Sequence, residues 1–244
     1  MKFTPLILLI LFAVTGSSFT GTLHTSPAAR KITVVFHNQV SGKDLVLGDS
    51  VKTSVGETIT VERFRYYVSN FSVQLEDGKT QKLPPEYFLV DEENPVTKTI
   101  TLAVPEGKIV RLGFLLGVDS IRNVSGVQTG ALDPMKGMFW TWNSGYVMAK
   151  IEGTSGSSSS AGNRFTYHVG GFRAGMNVLK TIDIDLRAAG SAISEIHINA
   201  DIDRWFKGNT ELKIAETPVC HSPGALAMRI ADNYSTMFSL NSVK

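Results

Sequence analysis

Three histidines and two tryptophans are the side chains of this 244-residue sequence whose placement points most clearly to chemistry. His37 follows Ile32, Val34 and Phe36 in an alternating run, and residues two apart on a strand share a face. His37 therefore falls on the opposite face from those apolar residues. His168, set among Phe165, Tyr167 and Val169, and His197, between Ile196 and Ile198, follow the same rule, with Asn199 and Asp201 sharing the parity of His197. Imidazole is the commonest metal-binding side chain, and strands place ligands on one sheet face without crowding. The expectation is a metal site built from His37, His168 and His197. No His-x-His or Cys-x-x-Cys spacing accompanies them, so this pattern alone names no metal. His221 is a secondary candidate ahead of a helix, and His24 is read as uninvolved.

The second signal is the run from Gly130 to Tyr146, in which a loop hinged by Gly and Pro leads into Phe139-Trp140-Thr141-Trp142. Read as strand, it sets the indoles of Trp140 and Trp142 side by side on one face. Indoles in strands are ordinary core, but the same pair could form a ligand or redox surface. Met135, Met138 and Met148 surround them. Thioethers are soft donors suited to Cu(I), and they also fill irregular cores. Glu195, Asp201 and Asp203 share a strand parity and read best as solvated charge. No nucleophile elbow, His-Glu-x-x-His helix or phosphate-binding glycine loop is present, and no enzyme activity is expected.

The elements that must carry these residues are mostly strands. Ile32–Phe36, Thr58–Leu75, Thr97–Val104, Val110–Leu116, Phe139–Ile151, Arg164–Val169, Val178–Leu186 and Glu195–Ile202 alternate or are wholly apolar, and turn residues separate them. Their number and spacing predict an all-β fold, an antiparallel β-sandwich. One C-terminal helix is expected from Ser222 and Pro223, as cap and first helical residue, through Leu226, Ile230 and Tyr234 or Phe238. The serine-rich stretch from Thr154 to Gly162 reads as a solvated loop inside one domain.

Lys2 followed by the apolar run Leu6 to Val14 and small residues from Thr15 reads as a secretory signal peptide over residues 1–21. A flexible lead-in spans 22–30, and the domain spans 31–244. The product is expected in the periplasm or outside the cell, with no transmembrane anchor once the signal is cleaved. A formal net charge of +2 gives no reason to expect nucleic acid as partner. The lone cysteine, Cys220, excludes an internal disulfide and reads as a small buried residue. Three Asn-x-Ser triplets, at Asn70, Asn123 and Asn233, carry little weight as glycosylation signals.

Taken together, several segments resemble the MbnP-like copper-binding family, the methanobactin-associated periplasmic proteins. They are Arg63-Phe64-Arg65-Tyr66-Tyr67-Val68-Ser69-Asn70, Gly117-Val118-Asp119-Ser120, Leu132-Asp133-Pro134 with Gly137 to Tyr146, Tyr167-His168-Val169-Gly170-Gly171, and His221-Ser222 ahead of a helix. The resemblance implies an exported protein that holds one copper ion, Cu(I) or Cu(II), for acquisition or storage. It also implies oxidation of a tryptophan to kynurenine by a dihaem peroxidase-like partner. Carried onto this sequence, that makes Trp140 or Trp142 the modified residue and His168 the best histidine ligand. A copper site further requires the histidines to converge near Trp140 and Trp142. The competing reading is a cell-surface carbohydrate- or protein-binding sandwich module, with the paired tryptophans and Tyr146 as an exposed platform.

Overall fold

The computed structural model describes residues 29–142, 145–190 and 192–244. The expected signal peptide, the lead-in up to residue 28 with His24, and Asn143 and Ser144 lie outside the described residues. The first strands are β1 (Ala29–Val40), β2 (Lys43–Asp44), β3 (Ser50–Lys52), β4 (Thr58–Leu75), β5 (Thr80–Lys82), β6 (Tyr87–Asp91), β7 (Thr99–Pro105) and β8 (Ile109–Leu116). After the short helix α1 (Ser120–Val124) come β9 (Phe139–Trp140), β10 (Gly145–Ser155), β11 (Arg164–Gly170), β12 (Lys180–Asp185) and β13 (Glu195–Asp201). The chain closes with α2 (Asp203–Phe206), β14 (Val219–Cys220), α3 (Ala225–Tyr234) and β15 (Phe238–Val243).

The strands form a sandwich. One sheet runs β15-β13-β1-β2 with β7 also on β1. The other runs β12-β8-β4-β10-β11-β14, with β3, β5 and β6 on β4 and β9 on β10. Pairing is antiparallel except where β13 lies parallel to β1 and β14 lies parallel to β11. Alternation explains the packing. Ile32, Val34 and Phe36 of β1 are buried while their neighbours are only partly covered. The Phe36 ring meets the edge of Tyr66 from β4 and of Phe114 from β8, which joins the two inner faces. Burying each such ring contributes about 1.5–3 kcal/mol.

β4 departs from simple alternation. Tyr66, Tyr67, Val68 and Ser69 are all buried, because loops cover its outer face. The Tyr67 hydroxyl donates to the Ala131 carbonyl, and Ser69 Oγ donates to the Gly117 carbonyl.

Several expectations are corrected in detail. Ala29 and Arg30, read as lead-in, already belong to β1. Phe139–Ile151 is not one strand but a hairpin, in which β9 pairs with the start of β10. The C-terminal helix begins at Ala225 behind Gly224, whose φ of 150° suits glycine, and Ser222 does not cap it. Phe238 lies beyond that helix, in β15. The serine-rich stretch is a tight turn: Ser155 and Ser158 are buried and donate to the carbonyls of Thr58 and Arg164. Among the described residues no helix is long and apolar enough to cross a membrane.

Candidate metal centre

The expected three-histidine site does not form. Parity holds for each histidine, since all three leave the apolar face, but they sit on different sheets. His37 and His197 meet on the outer face of the β1–β13 sheet, and His168 stands on the outer face of the other. Strand parity determines which face a residue takes but says nothing about which sheet carries it. His168 instead meets His221, with ring centroids 4.4 Å apart and planes 28° apart.

Long-range pairing makes that meeting. β14 lies parallel to β11, with Tyr167 opposite Cys220, and the Tyr167 hydroxyl donates to the Thr217 carbonyl. This brings His221 beside His168. Cys220 points inward and is buried, which pushes its thiol up to about 11, so it takes no part.

His168 Nε2 lies 2.6 Å from Glu152 Oε1 on the neighbouring strand. An ionised carboxylate can only accept, so the ring donates from Nε2, and in the neutral ring Nδ1 is then the lone pair. A carboxylate that fixes the tautomer in this way is the usual outer partner of a metal-binding imidazole. Glu152 is held in turn by Arg63 Nη1 at 2.9 Å, with Lys150 Nζ at 3.7 Å. The hydrogen bond from His168 pulls the Glu152 carboxyl down to about 2, so it is charged at neutral pH. Burial, and then His168, hold His221 below the ordinary histidine range, which leaves its ring neutral and able to bind metal.

The tryptophan loop is fastened above the same face. Tyr146 Oη donates to the Leu132 carbonyl, Arg65 Nη1 to that of Lys136, and Lys150 Nζ to that of Gly137. Asp133 caps the turn Pro134–Lys136 by accepting from Met135 N, and Gly137 ends it at φ 70°. Trp140 then folds onto Gly170, where an added Cβ would come within 2.6 Å of its Cζ3 atom. Gly170 is two residues beyond His168 on the same face of β11, a step of about 6–7 Å. Trp140 is 7% exposed and Trp142 65%. Their ring centroids are 5.4 Å apart at 39°. The indoles are thus adjacent as expected, but only one is open to solvent, so the paired exposed platform does not form.

The methionines divide similarly. Met135 is exposed and Met138 fully buried, while Met148 Sδ accepts from Val118 N. Asp201 and Asp203 accept from the backbone N–H groups of Ser41 and Ser54 and so fasten loops. Glu152 escaped the sequence reading; its signal was a charge at outward parity on an otherwise buried strand.

The other histidine pair is hydrogen bonded. His37 Nε2 and His197 Nδ1 are 2.9 Å apart, and His197 Nε2 lies 3.1 Å from Glu195 Oε2. Burial, and then His197, lower the proton affinity of His37. Among the described residues no three His, Cys, Asp or Glu side chains close on one point as a complete metal cage. Any ion at either pair would need a donor of another type.

The family model described as MbnP matches residues 29–222. Among solved structures the fold is similar to MbnP from Methylosinus trichosporium, with a TM-score of 0.58 at 17% identity over 82% of this chain and 83% of that one. No curated protein matches the sequence.

Proposed function

Because the chain belongs to the MbnP family, we propose that it is an exported, non-enzymatic copper-binding protein of the periplasm or cell exterior. It holds one copper ion at His168 and His221, in copper acquisition or storage. The observation that carries this reading is the Glu152–His168 hydrogen bond beside the His221 ring. It directs His168 Nε2 to the carboxylate, so that Nδ1 is the nitrogen left to meet a metal beside the His221 ring. Two neutral imidazoles suit Cu(I), a soft ion content with few ligands.

The third donor is the oxidation product of Trp140. An indole is a poor metal ligand, whereas kynurenine offers an aromatic amine and a carbonyl. The contact of Trp140 with Gly170 supports this residue over Trp142. Trp142, exposed and in ring contact with Trp140, is the surface through which an oxidising partner of the dihaem class reaches it.

The reading is tested by Cu(I) titration against a chromophoric chelator. The protein should take up one equivalent, and His168→Ala and His221→Ala should each weaken it by at least about 10–100-fold. Uptake unchanged in both variants would remove the site.

A further inference from the structure

We infer that His37, His197 and Asn199 form a second metal site, for a divalent, imidazole-preferring ion such as Zn(II) or Cu(II), on the sheet opposite the first. Strands β1 and β13 run parallel in register, with His37 directly across from Asn199 and Val35 across from His197. The three side chains therefore share one outward face on two adjacent strands.

Two observations point to a cation there. First, Asn199 Oδ1 is buried and has no hydrogen-bond partner. Buried acceptors are nearly always satisfied, and an orphaned amide oxygen beside two imidazoles is an unused donor atom for a metal. Second, Glu195 accepts from Nε2 of His197, so Nδ1 is the nitrogen turned toward His37 and is a lone pair in the neutral ring. Glu195 is itself anchored by Lys244 Nζ at 2.9 Å.

The ring nitrogens of His37 and His197 now share a proton. Their centroids are 5.2 Å apart, about the nitrogen separation plus two ring radii, so the nitrogens face each other head-on. Their 2.9 Å separation is also close to that of two ligands at a right angle, about 2.8 Å for metal–nitrogen bonds of 2.0 Å. An ion entering between the rings takes the Nδ1 lone pair of His197 and Nε2 of His37. The displaced proton moves to Nδ1 of His37, so no net charge is released, and each ring swings by about 45° to aim its lone pair at the ion. Asn199 supplies oxygen and water completes the shell. Asp44 and Glu195 on the acidic side, and Lys98 and Lys244 on the basic side, are the charges around the pair.

The site is independent of the copper reading and is tested without it. The double variant His168→Ala/His221→Ala is titrated with Zn(II) by calorimetry at pH 7.5. One equivalent should still bind, and adding His37→Ala should weaken it by about 10–100-fold, with a smaller loss for Asn199→Ala. His37→Gln, which retains a polar partner for His197, serves as a second variant should His37→Ala not fold. No uptake in the double variant, or uptake indifferent to His37 and Asn199 substitutions, overturns the proposal.

Discussion

Glu152 and His168 are joined by a 2.6 Å hydrogen bond across adjacent strands, and the His168 ring lies 4.4 Å from that of His221. The carboxylate thereby fixes which nitrogen of His168 donates and places a negative charge beside both rings. Arg63, at 2.9 Å from Glu152, keeps that carboxylate in place.

Replacing Glu152 with Gln removes the charge and leaves the shape. Cu(I) affinity should fall by about 10–100-fold, the usual loss when an outer partner of a metal ligand is removed. Competition with a chromophoric Cu(I) chelator measures it. A variant that binds as tightly as the parent would show that Glu152 serves only the fold.

Acid should act in two windows. His221 has a proton affinity lowered from 6.5, so the unfolded chain takes up its proton first. Stability is therefore fully present above pH 6.5 and declines as pH falls toward the lowered value. Glu152, lowered from 4.5 to about 2, contributes stability above pH 4.5 that is lost as pH falls to about 2. Melting temperature against pH should show both slopes. His221→Gln should flatten the upper one and Glu152→Gln the lower. Slopes that persist in these variants would assign them to other groups.

Gly170→Ala should disturb the tryptophan loop from below. The new methyl would meet Trp140 Cζ3 at 2.6 Å and the Tyr146 carbonyl at 2.7 Å. Overpacking of this kind costs about 1–3 kcal/mol. Tryptophan fluorescence should shift to the red as Trp140 is displaced, with the urea midpoint falling in parallel. An unchanged emission maximum would contradict the packing of Trp140 on β11.

Phe36→Ala should cost about 3–5 kcal/mol, since it empties the contact between the two sheets. Urea denaturation would read it as a lower midpoint at constant slope.

Much of this fold was legible because buried and exposed residues alternate cleanly. Ile32, Val34 and Phe36 gave β1, and the same parity turned His37 outward as read. Thr58–Leu75 was read to the residue as β4. What failed was information that alternation does not contain. Nothing in the spacing says that β13 lies parallel to β1, which brings His197 to His37 and away from His168. His221 meets His168 only because the two-residue β14, too short to show any period, pairs with β11. Phe238 kept a helical spacing from Tyr234 but entered β15, where it packs edge-on against Phe36. The tryptophan run was misread as one strand because its aromatic residues favour strands, while the turn that folds it back on itself starts at Thr141 and Trp142.

The most direct test of the copper site is metal content and intact mass of protein exported by its native host in copper-replete medium, followed by peptide mapping. Near-stoichiometric copper that disappears in His168→Ala, with a kynurenine mass shift mapped to Trp140, is the predicted result. Unmodified, metal-free protein that also fails to take up Cu(I) in titration would contradict the account.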